Sequence, residues 1–151
     1  MKFIIKFIHI ISKIKWKIIK PITIGVRIIL IDNNKILLVK HTYDNYWYLP
    51  GGGVKKGESF EEAICRELKE ELGIEIDDMN LFGVYNNFSE GKNDNIIIFE
   101  SENFQINNKK SIEIEEFKFC EIDDTLKGLS PGTKRRLKEY LEGNKPYFGM
   151  W

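Results

Sequence analysis

Three glutamates in the middle of the chain have the spacing of a metal-binding helix face. Glu67, Glu70 and Glu71 stand at positions i, i+3 and i+4 of a segment rich in helix formers, so on a helix they share an arc of about 100°. Their like charges repel, and a hard divalent cation such as Mg²⁺ or Mn²⁺ would relieve the repulsion because it prefers oxygen ligands. Ala63, one turn earlier, leaves room for an ion and its waters. A solvated helix face, held by ion pairs to Arg66, is the alternative interpretation.

Three consecutive glycines, Gly51–Gly53, precede this segment and favour the metal-site interpretation. A run of glycines is costly to order, and it lets main-chain groups approach a ligand closely. A glycine loop joined to a helix with three carboxylates indicates a site for a metal ion plus phosphate. It is not a Walker loop, because no Gly-Lys-Ser/Thr follows at the required spacing.

Residues 52–74, called the box below, resemble the signature of the Nudix hydrolases. Every defined position of that signature is filled across 23 residues: Gly52, Glu58, Arg66-Glu67-Leu68, Glu70-Glu71 and Gly73-Ile74. The stretches PITIGVRIIL, ILLVKHTY and WYLPGGGV are further similar to a bacterial subgroup of the family that carries a short basic leader. The resemblance implies an α/β fold, an α/β/α sandwich around a mixed β-sheet.

The same resemblance implies an activity, the metal-dependent hydrolysis of a nucleoside diphosphate linked to another group, X. Water attacks one phosphorus of the diphosphate, and two phosphate-bearing products leave. The expected substrate is a small-molecule nucleotide such as a nucleoside triphosphate or a nucleotide sugar, or a capped RNA end. The alternative is a catalytically silent module that keeps the fold and either binds nucleotides or has a regulatory role, with the leader as its membrane contact.

The resemblance also implies roles for individual residues. Glu67, Glu70 and Glu71 would bind Mg²⁺ or Mn²⁺, and the main-chain carbonyl of Gly51 would add a ligand. Glu67 would act as general base or orient the attacking water, while Arg66 holds it in place; Glu70 belongs to the same catalytic set. Two further box residues would support the local structure: Glu58 at the join between loop and helix, and Gly73 at the end of the helix.

A later carboxylate would complete the site, since members of the family often add one from a loop or strand. The candidates are Glu113, Glu115 and Glu116; we favour Glu116 or Glu113, and we assign Glu116 the catalytic role. The alternative is that these alternating glutamates simply face water.

Substrate contacts are expected from the glycine loop and from the first two strands. Arg27 and Lys40 would meet phosphate, with His41 beside them, and Gly52 and Gly53 would contact the substrate through their main chain. The aromatic residues Tyr46, Trp47 and Tyr48 could stack a base or could belong to the core.

The remaining chain predicts the strands and helices that must position these groups. Strands are expected at 22–31, 36–40, 46–49, 81–88, 96–104 and 113–121, with a turn at 32–35 and a break at the glycines. Helices are expected at 59–72, closed by Gly73, and from Pro131 to about Leu141. The tail to Trp151 is expected to be irregular.

The composition predicts one folded domain behind a basic leader. The chain has 151 residues, 42% of them hydrophobic, and 23 basic against 23 acidic side chains. A dedicated nucleic-acid binder is normally basic, and no DNA-binding motif is present. The two cysteines, Cys65 and Cys120, predict free thiols in a reducing cytoplasm.

Residues 1–20 contain six lysines and no acid. The lysines recur at helical spacing opposite an isoleucine and phenylalanine face, which predicts an amphipathic helix ended by Pro21. Lysines interrupt it too often for a secretory signal or a membrane span. Residues 2–20 would lie on an anionic membrane surface or on a partner, or pack on their own domain, and the apolar face also permits a homodimer. The expected organisation is this leader and one domain over residues 21–151.

Overall fold

The fold is a mixed α/β sandwich, seen in a computed structural model that describes residues 11, 21–88, 93–107, 112–122, 127–143 and 146–151. These residues contain ten strands and two helices. The strands are β1 (Ile22–Asp32), β2 (Lys35–His41), β3 (Trp47–Tyr48), β4 (Gly51–Gly53), β5 (Ile74–Ile76), β6 (Asn80–Asn87), β7 (Asn93–Ser101), β8 (Phe104–Ile106), β9 (Ile114–Glu121) and β10 (Tyr147–Met150). The helices are α1 (Phe60–Glu71) and α2 (Pro131–Glu142).

Eight of the strands form one mixed sheet. The order is β10-β6-β7-β1-β2-β3, with β4 paired to β1 and β9 paired to β2. Strand β1 runs parallel to β7, and β10 runs parallel to β6, whereas the other pairs are antiparallel. Strands β5 and β8 form a separate two-stranded sheet. The expected mixed sheet is therefore confirmed.

Neighbouring residues of β1 face opposite sides of the sheet, as the pleat of a strand requires. Ile28 packs in one hydrophobic cluster with Leu68 of α1. Ile29 packs in a second cluster with Leu137 of α2. The sheet therefore lies between the two helices, which confirms the expected α/β/α arrangement.

Local signals place the helix ends where the sequence predicts them. Ser59 and Glu62 form a reciprocal capping box at the start of α1. Gly73 follows the helix with φ of 66°, the left-handed geometry that favours glycine. Ser130 caps α2 by accepting the Thr133 N–H, and Pro131 occupies the first turn.

The glycine run is itself a strand. The predicted break does end β3 at Tyr48, but the chain pairs again from Gly51 to Gly53. Gly51, Gly52 and Gly53 pair antiparallel with the start of β1. A Cβ on Gly51 would lie 2.2 Å from the Val26 carbonyl oxygen, and its φ is 138°. The lack of side chains thus allows the close pairing of β4 with β1, and this pairing makes the glycine run part of the sheet.

Two further differences concern strands whose partners are distant in sequence. The tail is not irregular, because Tyr147–Met150 pair with β6. The predicted strand at 96–104 is two strands: β7 begins earlier, at Asn93, and β8 turns away to pair with β5. In both cases the hydrogen-bond partners come from another part of the chain, so local composition does not reveal them.

The leader lies outside the described residues except for Ile11, which is 49% exposed. Its predicted helix, its contact with a membrane or partner, its role in a homodimer and its separation from a domain at 21–151 stay predictions. None of the helices among the described residues is long and apolar enough to cross a bilayer.

A buried cation joins α2 to the end of the chain. The Arg136 side chain is 2% exposed and donates through Nε and Nη2 to the two Glu139 carboxylate oxygens, at 2.7 and 2.8 Å. Its guanidinium lies 3.8 Å from the Tyr85 ring centroid and donates to the Met150 carbonyl. Burial and the Glu139 carboxylate raise the pKa of the Tyr85 hydroxyl, which donates to that carboxylate.

Replacing Arg136 with Met is expected to lower the free energy of unfolding by about 2–3 kcal/mol. This is below the usual loss for a fully buried pair, because water reaches part of the Glu139 carboxylate. Lys138→Met is the matched control, since Lys138 is exposed on the same helix and its ion pair with Glu142 is long, at 4.0 Å. Urea unfolding at pH 7 measures both variants, and equal losses in the two would contradict this account.

Candidate active site

A cleft of about 1300 Å³ is lined by residues of β1 and β4 and of both helices. Its walls include all three glycines of β4, two carboxylates of α1 and several aromatic residues of the segment after β2. The lining also includes the start of α2 and Trp151, which directly follows β10. The cleft therefore brings the box together with parts of the chain far from it in sequence.

The three box glutamates do not stand equally in this cleft. Glu67 and Glu71 line it. Glu70 is not part of its lining; the side chain is 55% exposed and lies near Lys55 and Arg66, at 4.0 and 3.4 Å. The three glutamates lie on one helix, α1, as expected, but only Glu67 and Glu71 line the cleft.

Gly52 and Glu67 are in direct contact. A Cβ on Gly52 would lie 2.2 Å from the Glu67 carboxyl carbon and 2.3 Å from Oε1. No side chain other than hydrogen fits at this position while Glu67 keeps its place. The glycine therefore lets a carboxylate of α1 lie flat against the main chain of β4.

Arg66 organises the join between the loop and α1. It binds Glu58 through two hydrogen bonds, at 2.6 and 2.9 Å, and donates to Glu67 Oε1 at 2.8 Å and to the Gly53 carbonyl at 3.0 Å. The Arg66 hydrogen bonds hold the pKa of Glu58 at about 2. The Glu58 carboxylate in turn raises the pKa of Arg66, so both groups stay charged. Arg66 is placed to orient Glu67, and Glu58 to fix Arg66.

Glu71 is a buried acid with an oxygen that has no hydrogen-bond partner. Its residue is 9% exposed, and Oε2 is enclosed without a protein donor. Burial, then the nearby charge of Glu67, raises the pKa of Glu71 to about 8. A buried carboxylate in this state is costly unless a cation compensates it.

These residues fit a hard divalent cation. The donors available are carboxylate oxygens of α1 and the main-chain carbonyls of β4, which is the oxygen-only set that Mg²⁺ and Mn²⁺ prefer. Within the described part of the chain, no three acidic, histidine or cysteine side chains already converge into a closed metal cluster. The partnerless oxygen of Glu71 is the observation that favours a cation here.

Arg27 lies under the glycine loop and lines the cleft. Its Nη1 donates to the Gly52 carbonyl at 3.2 Å and to the Val26 carbonyl at 2.7 Å. Lys40 lies outside the cleft lining and forms an ion pair with Glu115 at 3.7 Å. The structure therefore brings Arg27 to the site and turns Lys40 toward the neighbouring strand β9.

The later carboxylate at the cleft is Glu113, not Glu116. Glu113 precedes β9, and its carbonyl accepts the Thr42 N–H beside the mouth of the cleft. Glu116 lies three residues into the strand, opposite Lys40, and is not part of the cleft lining. The register of β9 on β2 decides this placement, and nothing local to the three glutamates indicates it.

One wall of the cleft is aromatic. The His41 and Tyr43 rings stack with centroids 5.0 Å apart, and Tyr48 lies tilted 5.5 Å from His41. Burial raises the pKa of Tyr43 to about 12. Of the aromatic candidates, Tyr46 and Tyr48 line the cleft, whereas Trp47 packs under Lys118, whose Nζ lies 4.0 Å from the ring centroid.

Sequence reasoning missed Tyr43, Asp94 and Trp151, all of which line the cleft. Tyr43 lies between His41 and Tyr46, so an aromatic pattern taken over residues 41–48 includes it. Asp94 and Trp151 belong to β7 and to the tail, and only strand pairing brings them here.

Comparison with known proteins places the chain in a family. A family model described as the NUDIX domain matches residues 21–141. The chain is similar to an RNA pyrophosphohydrolase of Hydrogenovibrio crunogenus, with 39% identity over 56 residues, 37% of this chain and 34% of that protein. It is also similar to an ADP-ribose pyrophosphatase of Methanocaldococcus jannaschii, with 45% identity over 60 residues, 38% of this chain and 36% of that protein. The matches thus span about a third of the length of these curated relatives.

Solved structures resemble the chain over most of its length. The MutT protein from Methanosarcina mazei Go1 has a TM-score of 0.75 and 25% identity, covering 83% of this chain and 97% of that one. The MutT protein from Bacillus halodurans has a TM-score of 0.72 and 26% identity, covering 83% and 86%. Because the family model spans most of the chain and the folds agree, the chain belongs to the Nudix hydrolase family, whose members act on phosphoric anhydride bonds.

Proposed function

We propose that the chain is a metal-dependent pyrophosphohydrolase that cleaves the diphosphate of a nucleoside diphosphate linked to a group X. The observation that carries this is the pair Glu67 and Glu71 in the cleft, one lying on Gly52 and the other buried with an unpartnered oxygen. The curated relatives described above are an RNA pyrophosphohydrolase and an ADP-ribose pyrophosphatase, which supports a nucleotide substrate of this class.

In this proposal, separate residues bind the metal ion and the phosphate groups. Mg²⁺ or Mn²⁺, held by Glu67, Glu70, Glu71 and the Gly51 carbonyl, would offset phosphate charge and lower the pKa of bound water. Arg27 would contribute a positive charge next to the glycine loop, where phosphate oxygens enter.

Glu67 is the proposed general base. Arg66 donates to its Oε1, which holds the carboxylate in one orientation and leaves Oε2 to accept a proton from the attacking water. Glu113, facing the same cleft, is the proposed later carboxylate in place of Glu116. A catalytically silent nucleotide-binding module is the competing function, and the complete set of box carboxylates argues against it.

A substrate panel tests this proposal. It contains nucleoside triphosphates, ADP-ribose, nucleotide sugars, dinucleoside polyphosphates and 5′-triphosphate RNA, each with Mg²⁺ and with Mn²⁺. Metal-dependent release of phosphate-bearing products from one class is expected, and Glu67→Gln is expected to lose it. Silence of the wild-type protein across the panel, with Mn²⁺ binding intact, would instead support the silent module.

A further inference from the structure

Four side chains line the end of the cleft in one row across neighbouring strands: Thr23 on β1, Asp94 on β7, Asn87 on β6 and Trp151 directly after β10. Thr23 pairs with Asp94, and Asp94 pairs with Asn87. The last pair of β10 and β6 is Met150 with Asn86, so Trp151 continues the register opposite Asn87. Residues in one such row share a face of the sheet. The row therefore lines the cleft with three polar residues followed by the Trp151 indole.

The indole of Trp151 is held from several directions. Its main-chain N–H donates to the Asn86 carbonyl at 2.8 Å, and the Arg135 guanidinium donates to its main-chain oxygen. The Arg136 guanidinium lies 5.4 Å from the ring centroid, and Tyr85 meets the ring edge-on at 6.2 Å. A ring fixed in this way is ordered before any ligand arrives, so a ligand that stacks on it need not order it.

The first turn of α2 is shaped to admit this ring. A Cβ on Gly132 would lie 2.3 Å from Trp151 Nε1 and 2.4 Å from Cε2. Alanine favours a helix over glycine, so the glycine here makes room for the indole against α2 and is not needed by the helix itself.

The ring packs against the second hydrophobic cluster, where Tyr85 meets it, whereas the other three members of the row are polar. The Thr23 hydroxyl donates to Asp94 Oδ1 at 2.6 Å. Asn87 supplies an amide beside it. An aromatic face next to a carboxylate and an amide suits a flat heterocycle with N–H groups at its edge, which describes a nucleobase.

We propose that Trp151 stacks the base of the nucleotide substrate. The phosphates then lie toward the box carboxylates, and the base lies over the row that Trp151 ends. This inference rests on the proposed function, since it assigns the base end of the same cleft.

Binding of nucleoside monophosphates tests the stacking without turnover. GMP and AMP carry a base and ribose 5-phosphate does not, so calorimetry with all three in Mg²⁺ isolates the base. Trp151→Leu is expected to raise the Kd of GMP and AMP by about 5- to 150-fold, the range of base–aromatic stacking. Its Kd for ribose 5-phosphate is expected to stay within about twofold of wild type.

Two more variants separate stacking from stability. Gly132→Ala keeps the indole but displaces it and is expected to weaken GMP and AMP binding in the same direction. Trp47→Phe removes an indole outside the cleft and is expected to bind as wild type does. GMP is also expected to quench the tryptophan fluorescence of wild type and Trp47→Phe, and not that of Trp151→Leu.

Three results would overturn the stacking role: no binding of either purine to wild type, unchanged purine binding in Trp151→Leu, or an equal loss for ribose 5-phosphate. The outcomes also separate the two proposals. If the hydrolysis panel is silent while Trp151→Leu still loses purine binding selectively, the proposed reaction fails and the base site stands.

Discussion

Glu71→Gln is expected to lower kcat/KM at least about 1,000-fold, or about 4 kcal/mol of transition-state stabilisation, while making the metal-free protein more stable. The amide is a poor ligand for Mg²⁺ or Mn²⁺, so the activity falls. The same change removes an acid whose charged form is disfavoured by burial and by the nearby Glu67, and whose Oε2 lacks a donor. If Glu71 had only a structural role, replacing it with Gln would lower the stability of the metal-free protein.

The measurement pairs initial rates on the best substrate of the panel with urea unfolding in EDTA. Mn²⁺ titration is expected to show weaker binding in the variant. Glu61→Gln serves as the control, because Glu61 is exposed on the first turn of the same helix and does not line the cleft. Retained turnover in Glu71→Gln, or destabilisation without metal, would remove Glu71 from the site.

Gly52→Ala is expected to lower kcat about 1,000-fold, whereas Gly53→Ala is expected to leave it nearly unchanged. At Gly52 the new methyl group would overlap the Glu67 carboxylate, with its Cβ 2.2 Å from the carboxyl carbon. At Gly53 a Cβ meets nothing within 4 Å. A displaced general base costs about 10²- to 10⁴-fold in rate.

The pair of alanine variants also separates activity from folding. The group that must move for Gly52→Ala is the end of a flexible side chain, so the fold can absorb the change at little cost. Thermal unfolding is expected to be similar for both variants and wild type. If Gly52→Ala remained active, or if both variants lost activity equally, the contact between Gly52 and Glu67 would have no catalytic importance.

Features that depend on a few consecutive residues were predictable from the sequence. The capping box at Ser59, the left-handed Gly73 and the arc of box glutamates all follow from rules that act within one or two helical turns. The turn before Lys35 is of the same kind, since Asn33 and Asn34 take positive φ there. The spacing of the box also indicated the family, because it is carried by 23 residues of continuous sequence.

The glycine run shows where local rules fail. Composition indicated a break, because glycine lowers strand propensity when nothing else is known. In the fold these glycines pair with β1, where their lack of side chains is what allows Gly51 to approach the Val26 carbonyl and Gly52 to receive Glu67. Pairing with β1 therefore outweighed the low strand propensity of the glycines.

The sequence alone determined that this chain carries a Nudix box on a loop and a helix, and which carboxylates that helix presents. Only the tertiary structure decided which groups share the cleft. It placed Glu67, Glu71, Glu113 and Trp151 in the lining of the cleft and left Glu70 and Glu116 outside that lining. The reason is physical: β1 pairs with β7 and β6 pairs with β10 across more than 60 residues. Such pairings depend on the register of distant strands, and residue types within one segment do not encode that register.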